Sequence, residues 1–365
     1  MSGRIPSAKT EIDRKQGRDM ATGIFLQLYR QLRHGTRVRI NFTKNYFRLK
    51  RQRSLIKKEN PTRRLVAVML LEHLGDIVAC EPIARYVKGK DPDAYIVWGV
   101  KNIYRELIDS NPNIDMTLVV HCLSERLMLE NTGVFDEIID LHFSDRYCSI
   151  CRMPLRKKGD SPIGLTTFFN HGSILSSFSK SAGLPPLDET PQVCIPAGAA
   201  QHVNSLHLPE RFIVINCTSN NIEKHWPAEK WLVLTDAIMG RFGLPVVELG
   251  LKQYLSVSSN KQYIDLCGKL SILESAEVIR RSVIFIGIDS GPAHLANAVG
   301  TPGVILMGSY LGFTKYTPFS GFYENGEGAE IVYAEGPVVY IPVDKVLAVV
   351  SKMIDSTPKG AAHAI

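Results

Sequence analysis

No uninterrupted apolar run in this sequence approaches the ~20 residues that a membrane-spanning helix needs. The start of the chain also lacks an apolar segment followed by a small-residue cleavage site, which argues against a secretory signal. The dinucleotide fingerprint GxGxxG is missing, so any nucleotide site here is of another kind. Cysteines are few and odd in number: Cys80, Cys122, Cys148, Cys151, Cys194, Cys217 and Cys267 are scattered along 365 residues. That argues against a disulfide framework and for a reducing compartment. Only Cys148 and Cys151 stand in a CxxC pair. With His142 or His171 they would make half of a zinc site, but the sequence shows no four-ligand pattern. The expectation is therefore ordinary loop thiols, no metal and no cofactor.

Acidic residues are scarce in one region only. Residues 1–64 hold 18 Lys and Arg against 4 Asp and Glu, leaving 25 basic and 32 acidic residues for the rest. The net charge of +7 thus hides a basic terminal segment on an acidic body. Residues 1–20 are polar and read as poorly ordered. In residues 21–58, Ile24, Phe25, Leu28, Tyr29 and Leu32 fall at helical spacing among many Arg and Lys. Such a basic amphipathic segment suits an anionic membrane surface. A helix packed on the protein's own body fits the pattern equally well. Nucleic acid is not the expected partner, because the body is acidic and carries no recognition motif.

Beyond Pro61 the chain alternates buried strands with helices, the pattern of a parallel α/β sheet. The run Leu65–Leu71 is apolar throughout, as in a strand covered on both faces. A helix is expected over 77–88, with strands near 95–100, 117–120 and 138–141. Residues 142–200 are less regular and hold the basic run Arg156-Lys157-Lys158. A linker is expected near 197–208. A second alternation begins at Phe212 and closes with a helix over 343–354. The expected domains are 1–62, a basic extension, then 63–205 and 206–365, two similar halves facing a cleft at the carboxyl ends of their strands.

Three loops at such strand ends carry candidate chemistry. The segment Gly287–His294 follows a strand and opens a helix, whose unpaired amides and positive dipole end suit a phosphate. Gly291 lets a ligand approach the backbone, and Asp289 or Ser290 can alternatively serve as a plain helix cap. In Glu72-His73-Leu74-Gly75-Asp76, Asp76 can cap the next helix or accept a proton from an attacking hydroxyl. Gly75, beside His73, would let the backbone come close to a substrate. In the third loop, Thr218, Ser219 and Lys224 can hold phosphate oxygens, while Trp226 and Pro227 anchor the following helix.

Together these segments resemble glycosyltransferase family 9, the heptosyltransferase-like enzymes of lipopolysaccharide assembly. The likeness rests on Leu74-Gly75-Asp76, on Lys224-His225-Trp226-Pro227 with Trp231, and on Asp289 to Ala298. The Gly300-Thr301-Pro302 turn and Gly308-Ser309 also fit, so that about residues 63–350 are covered. The resemblance implies a GT-B fold, two Rossmann-like domains, and a metal-independent, inverting transfer from a nucleoside-diphosphate sugar. An ADP-sugar is favoured as donor, a glycolipid or surface glycan as acceptor, and the cytoplasmic side of a bacterial inner membrane as location. Asp76 becomes the candidate base, with Gly75 and His73 in the acceptor-side loop. Thr218, Ser219 and Lys224 would hold the diphosphate. Asp289, Ser290, Gly291 and His294 would contact donor phosphate or sugar, and Glu248 the ribose. The alternatives are a non-catalytic GT-B-like binding module and a nucleotide-sugar epimerase.

Overall fold

A computed structural model describes residues 8–151, 162–257, 260–309 and 316–356, with side chains from residue 26 onward. Arg156-Lys157-Lys158 lies outside the described residues. A single helix α1 (Ala8–Glu59) precedes a first alternating set. That set runs β1 (Leu65–Met69), α2 (Leu74–Ala79), α3 (Pro82–Lys90), β2 (Tyr95–Val100), α4 (Arg105–Asp109), β3 (Met116–Val119), α5 (Leu123–Glu130) and β4 (Glu137–Asp140). Helices α6 (Ile174–Ser181) and α7 (Ala197–Ser205) lead to the second set. It comprises β5 (Ile213–Asn216), α8 (Ala228–Phe242), β6 (Val246–Glu248), β7 (Tyr263–Asp265), α9 (Ile272–Arg281), β8 (Phe285–Ile288), α10 (Gly291–Ala298), β9 (Gly303–Met307), β10 (Ala329–Tyr333) and α11 (Val343–Ser356).

Both sheets are parallel throughout, in the orders β3-β2-β1-β4 and β10-β9-β8-β5-β6-β7. The chain repeats one manoeuvre in each. From β1 it moves outward to β2 and β3, then returns to the other side of β1 as β4. From β5 it moves to β6 and β7, then returns to the other side of β5 as β8. Each reversal opens a crevice at the strands' carboxyl ends, between β1 and β4 in one half and between β5 and β8 in the other. Ligands of open α/β sheets bind at such points. The two Rossmann-like halves of a GT-B fold are thus aligned by topology alone.

Several local expectations change. The helix expected over 77–88 is two helices, because Pro82 has no amide to continue α2 and instead opens α3. The linker expected near 197–208 is largely helix α7, packed on α9 through Arg281, which donates to Asn204 Oδ1 at 2.6 Å and Ala200 O at 3.2 Å. Residues 8–20, read as poorly ordered, are part of α1.

Helix α1 also resolves the question of what the basic segment does, in part. Val38, Leu49 and Ile56 are buried against the first half. Asn41 and Asn45 donate to the Glu125 carboxylate at 2.6 and 2.8 Å and both reach Val119 O at 2.9 Å. Arg53 pairs with Asp136 at 2.6 Å. The carboxyl-terminal part of α1 therefore packs on the body. At about 100° per residue, Leu26, Tyr29, Ile40 and Phe47 fall on the opposite side, and Ile40 and Phe47 are 53% and 63% exposed. The helix is apolar on two faces, of which the protein covers one.

Candidate functional site

The first crevice gathers charge around Asp76. Glu72, buried at the end of β1, is paired with Arg146 at 2.5 Å; Arg146 comes from the loop after β4, the other wall of the crevice. Lys101, just past β2, donates to the Glu72 carbonyl at 3.5 Å. Asp76 sits half-buried in the first turn of α2, where one carboxylate oxygen accepts the His73 amide at 3.0 Å. Burial, and then the neighbouring Glu72 carboxylate, push its pKa up to about 7 against the His73 amide, Arg146 and Lys224. A carboxylate with a pKa near neutrality can take a proton in its ionised form and hold it long enough to matter. His73 stands at the rim with its ring partly covered, and this partial desolvation holds its pKa below the usual value.

The second crevice gathers the donor-side candidates. Lys224, in the loop after β5, pairs with Asp289, in the loop after β8, at 2.5 Å. The ion pair bridges the topological reversal as Arg146–Glu72 does in the first half. A small cavity of about 10 Å³ opens beside it, lined by Glu223, Lys224, Asp289, Gly308 and Ser309. Ser290 occupies the N-cap of α10, but no side chain caps the helix; the Ser290 hydroxyl donates instead to Asn216 Oδ1 at 2.7 Å. The plain-cap reading of this turn therefore does not hold. Thr218 is half-buried at the end of β5.

Other expected contacts are spent inside the protein. The Ser219 hydroxyl donates to Asn221 O at 2.9 Å and shapes its own loop. Glu248 is 1% exposed and accepts the Tyr254 amide at 2.8 Å and the Tyr263 hydroxyl, so it orders the 253–255 loop and would meet a ribose only by exchanging a partner. Trp226 and Trp231 form the expected anchor, edge to face at 5.2 Å, with Trp226 donating to Ile341 O at 3.0 Å.

The two glycines play a different part from the one expected. A Cβ on Gly75 would stand 2.6 Å from the His294 ring, and one on Gly291 would stand 2.7 Å from Leu74. Each glycine makes room for the helix of the opposite half, because α2 and α10 cross here at close approach. His294 is 4% exposed and its ring leans on Phe319 at 4.7 Å. Burial lowers its pKa to about 4, so the ring is neutral at physiological pH and offers no cation to a phosphate. Tyr316 packs edge-on against Phe168 at 5.6 Å, and burial followed by the Asp289 and Asp76 carboxylates raises its phenol well above the usual value. It marks the span between the two candidate loops.

Sequence reading missed Arg146, Lys101 and Tyr316. Arg146 lies in the irregular stretch after β4, where no periodicity signals a site; the strand end before Lys101 was the one available cue. Among the described residues, two groups bring metal-capable atoms within 4.8 Å of one another: Glu72, His73 and Asp76, and separately His34, Cys122, Cys148 and Cys151. The CxxC pair thus meets neither His142 nor His171. His142 is fully buried, with Nδ1 against Asp140 at 2.6 Å and Nε2 accepting the Leu71 amide at 2.8 Å.

The comparisons with known proteins agree with this layout. The sequence pattern of glycosyltransferase family 9 (heptosyltransferase) matches residues 175–311, which include Lys224 and Asp289. Lipopolysaccharide heptosyltransferase 3 of Escherichia coli K12 is 29% identical over 117 residues, 30% of this chain and 34% of that protein. That match spans about a third of the relative's length. A solved family 9 glycosyltransferase from Veillonella parvula superposes with a TM-score of 0.62 at 19% identity, over 80% of this chain and 97% of that one. The Escherichia coli heptosyltransferase WaaC, solved with ADP, gives 0.56 at 15% identity, over 79% and 99%. With two parallel Rossmann-like halves and matching reversal points, this chain shares the fold of the solved family 9 glycosyltransferases, and its donor-side loops lie within the stretch that matches the family pattern.

Proposed function

We propose that the protein is an inverting glycosyltransferase that moves a sugar, heptose being the first candidate, from an ADP-sugar to a hydroxyl of a lipopolysaccharide-type or other surface glycan. The observation that carries this reading is the opposition of Asp76, with its pKa near 7, to the Lys224–Asp289 pair in the other half. Asp76 takes the proton of the acceptor hydroxyl as its oxygen attacks the anomeric carbon. The bond from that carbon to the diphosphate breaks, and the nucleoside diphosphate leaves. Base and leaving group belong to different halves, so attack comes from the face opposite departure and the configuration inverts. Lys224 and the first turn of α10 meet the growing charge on the diphosphate without a divalent ion. ADP as the nucleotide follows the structural relative solved with it.

A thermal-shift series with ADP, UDP, GDP and dTDP tests the donor class. ADP is expected to raise the melting temperature most; no response to any of the four would favour a non-catalytic binding module. Transfer from ADP-heptose, with the product anomer read by NMR, then tests the reaction and its stereochemistry. Persistence of activity in a chelator tests independence from a metal.

The exposed side of α1 fits a glycolipid acceptor. Leu26, Tyr29, Ile40 and Phe47 share that side with Arg33, Lys44 and Arg51, a composition suited to an anionic membrane face. Among the described residues no helix is long and apolar enough to cross a membrane, so the contact would be peripheral. Replacing Ile40 and Phe47 with glutamate together is expected to reduce pelleting with phosphatidylglycerol-rich vesicles by about tenfold. Unchanged pelleting would remove this face as the membrane contact.

A further inference from the structure

One cluster of reactive side chains lies outside the cleft and has no part in the transfer chemistry. Four residues from three separate stretches of chain converge there: His34 from α1, Cys122 at the N-cap of α5, and Cys148 and Cys151 from the loop after β4. Their candidate ligand atoms all lie within 4.8 Å of one another. Cys148 Sγ and His34 Nε2 are 3.7 Å apart. With metal bonds of about 2.3 Å to sulfur and about 2.05 Å to nitrogen, the sulfur–nitrogen edge of a tetrahedral site is about 3.6 Å. The separation is therefore that of two ligands sharing one ion. All seven cysteines are among the described residues, and they form no disulfide. Cys122 is buried; the other three are half-buried, so an ion would sit at a sheltered seam between α1 and the body.

We propose that His34, Cys122, Cys148 and Cys151 form a structural zinc site that ties the projecting half of α1 and the loop after β4 to the first Rossmann-like half. Three thiolates and one imidazole are a soft donor set, and four protein ligands close a tetrahedral centre with no open position for chemistry. Three thiolates leave the centre with a net negative charge, and Arg30, Arg33 and Arg37 line the same recess as His34. The location gives the site a purpose. The Cys148–Cys151 loop follows Arg146 by two residues, and Arg146 holds Glu72 beside Asp76. Residues 141–151 contain neither helix nor strand, and Tyr147 alone makes a β-bridge, so little regular backbone bonding holds this loop in place. An ion anchored on α1 and α5 would supply the missing cross-link, and binding energy spent on it would be folding energy for this part of the chain.

The test uses the full chain, freed of any affinity tag, stripped of metal under reduction and then titrated with Zn²⁺ or Co²⁺. One equivalent of Zn²⁺ per chain is expected. Co²⁺ should give thiolate-to-metal charge-transfer bands and the intense visible bands of a tetrahedral centre. Zinc should also slow proteolysis within residues 8–37 and protect three thiols from a disulfide reagent. The double variant Cys148→Ser/Cys151→Ser should fall below one-tenth of an equivalent and lose that protection. His34→Ala should weaken binding by at least tenfold without abolishing it. Cys194→Ser, which changes a thiol outside the cluster, should keep one equivalent and shows that loss in the other variants is not a general effect. Less than one-tenth of an equivalent in the wild-type chain after titration would overturn the site. So would equal zinc content in the wild type and the Cys148→Ser/Cys151→Ser variant.

Discussion

Asp76→Asn is expected to lower sugar transfer by about 10³-fold, the upper part of the usual contribution of a general base, with ADP binding nearly unchanged. Asparagine keeps the oxygen that accepts the His73 amide, so α2 should retain its start. What disappears is the titratable oxygen. In the wild type, kcat/KM should rise with unit slope below pH 7 and level off above it, following a carboxyl whose pKa is about 7. Stability should move the other way. The folded-state pKa lies above the ordinary carboxylate value of about 3.9, so the stabilising proton is fully present below that value. It is lost as pH rises through about 7. At pH 8 the asparagine variant escapes the cost of a half-buried charge and should be the more stable protein, by about 1–3 kcal/mol after allowance for solvent screening. At pH 4 the difference should vanish. Near-normal turnover by the variant would pass the role of base to Glu72 or His73. Loss of activity together with lowered stability at pH 8 would mean that Asp76 serves only to start α2.

Lys224→Ala should carry the next largest effect, on binding: about 100-fold weaker ADP, measured by calorimetry. Two losses combine. The ammonium no longer meets the diphosphate, and the Asp289 carboxylate that it neutralises at 2.5 Å is left facing an anion. The second loss can be separated from the first. Adding Asp289→Asn to Lys224→Ala should recover about tenfold in ADP affinity, because the unmasked charge is gone. If Asp289→Asn brings no recovery, the pair is a structural tie across the β5–β8 reversal and the diphosphate lies elsewhere. The nucleotide alone is the right probe, since Asp289 is also the candidate contact to the donor sugar.

The sequence by itself determined the strands and the loops at their ends. Runs such as Leu65–Leu71 and Phe212–Asn216 can exist only covered on both faces, so parallel α/β halves follow from local composition. Charge distribution likewise separated a basic terminal segment from an acidic body. Tertiary structure decided what each loop residue touches, because those contacts join segments far apart in the chain. Gly75 and Gly291 read as openings for a ligand, yet only the crossing of α2 and α10 shows that each makes room for the opposite half. Arg146 lies 74 residues from Glu72 and carries no periodic signal, so its ion pair was invisible until β4 returned beside β1. The raised pKa of Asp76 depends on burial and on Glu72, neither of which one strand end reveals. His34 and Cys122 complete the CxxC pair across 114 and 26 residues, a closure that no local spacing encodes. Secondary structure depends on near neighbours and is legible in order along the chain; a site depends on where the sheets bring distant loops together.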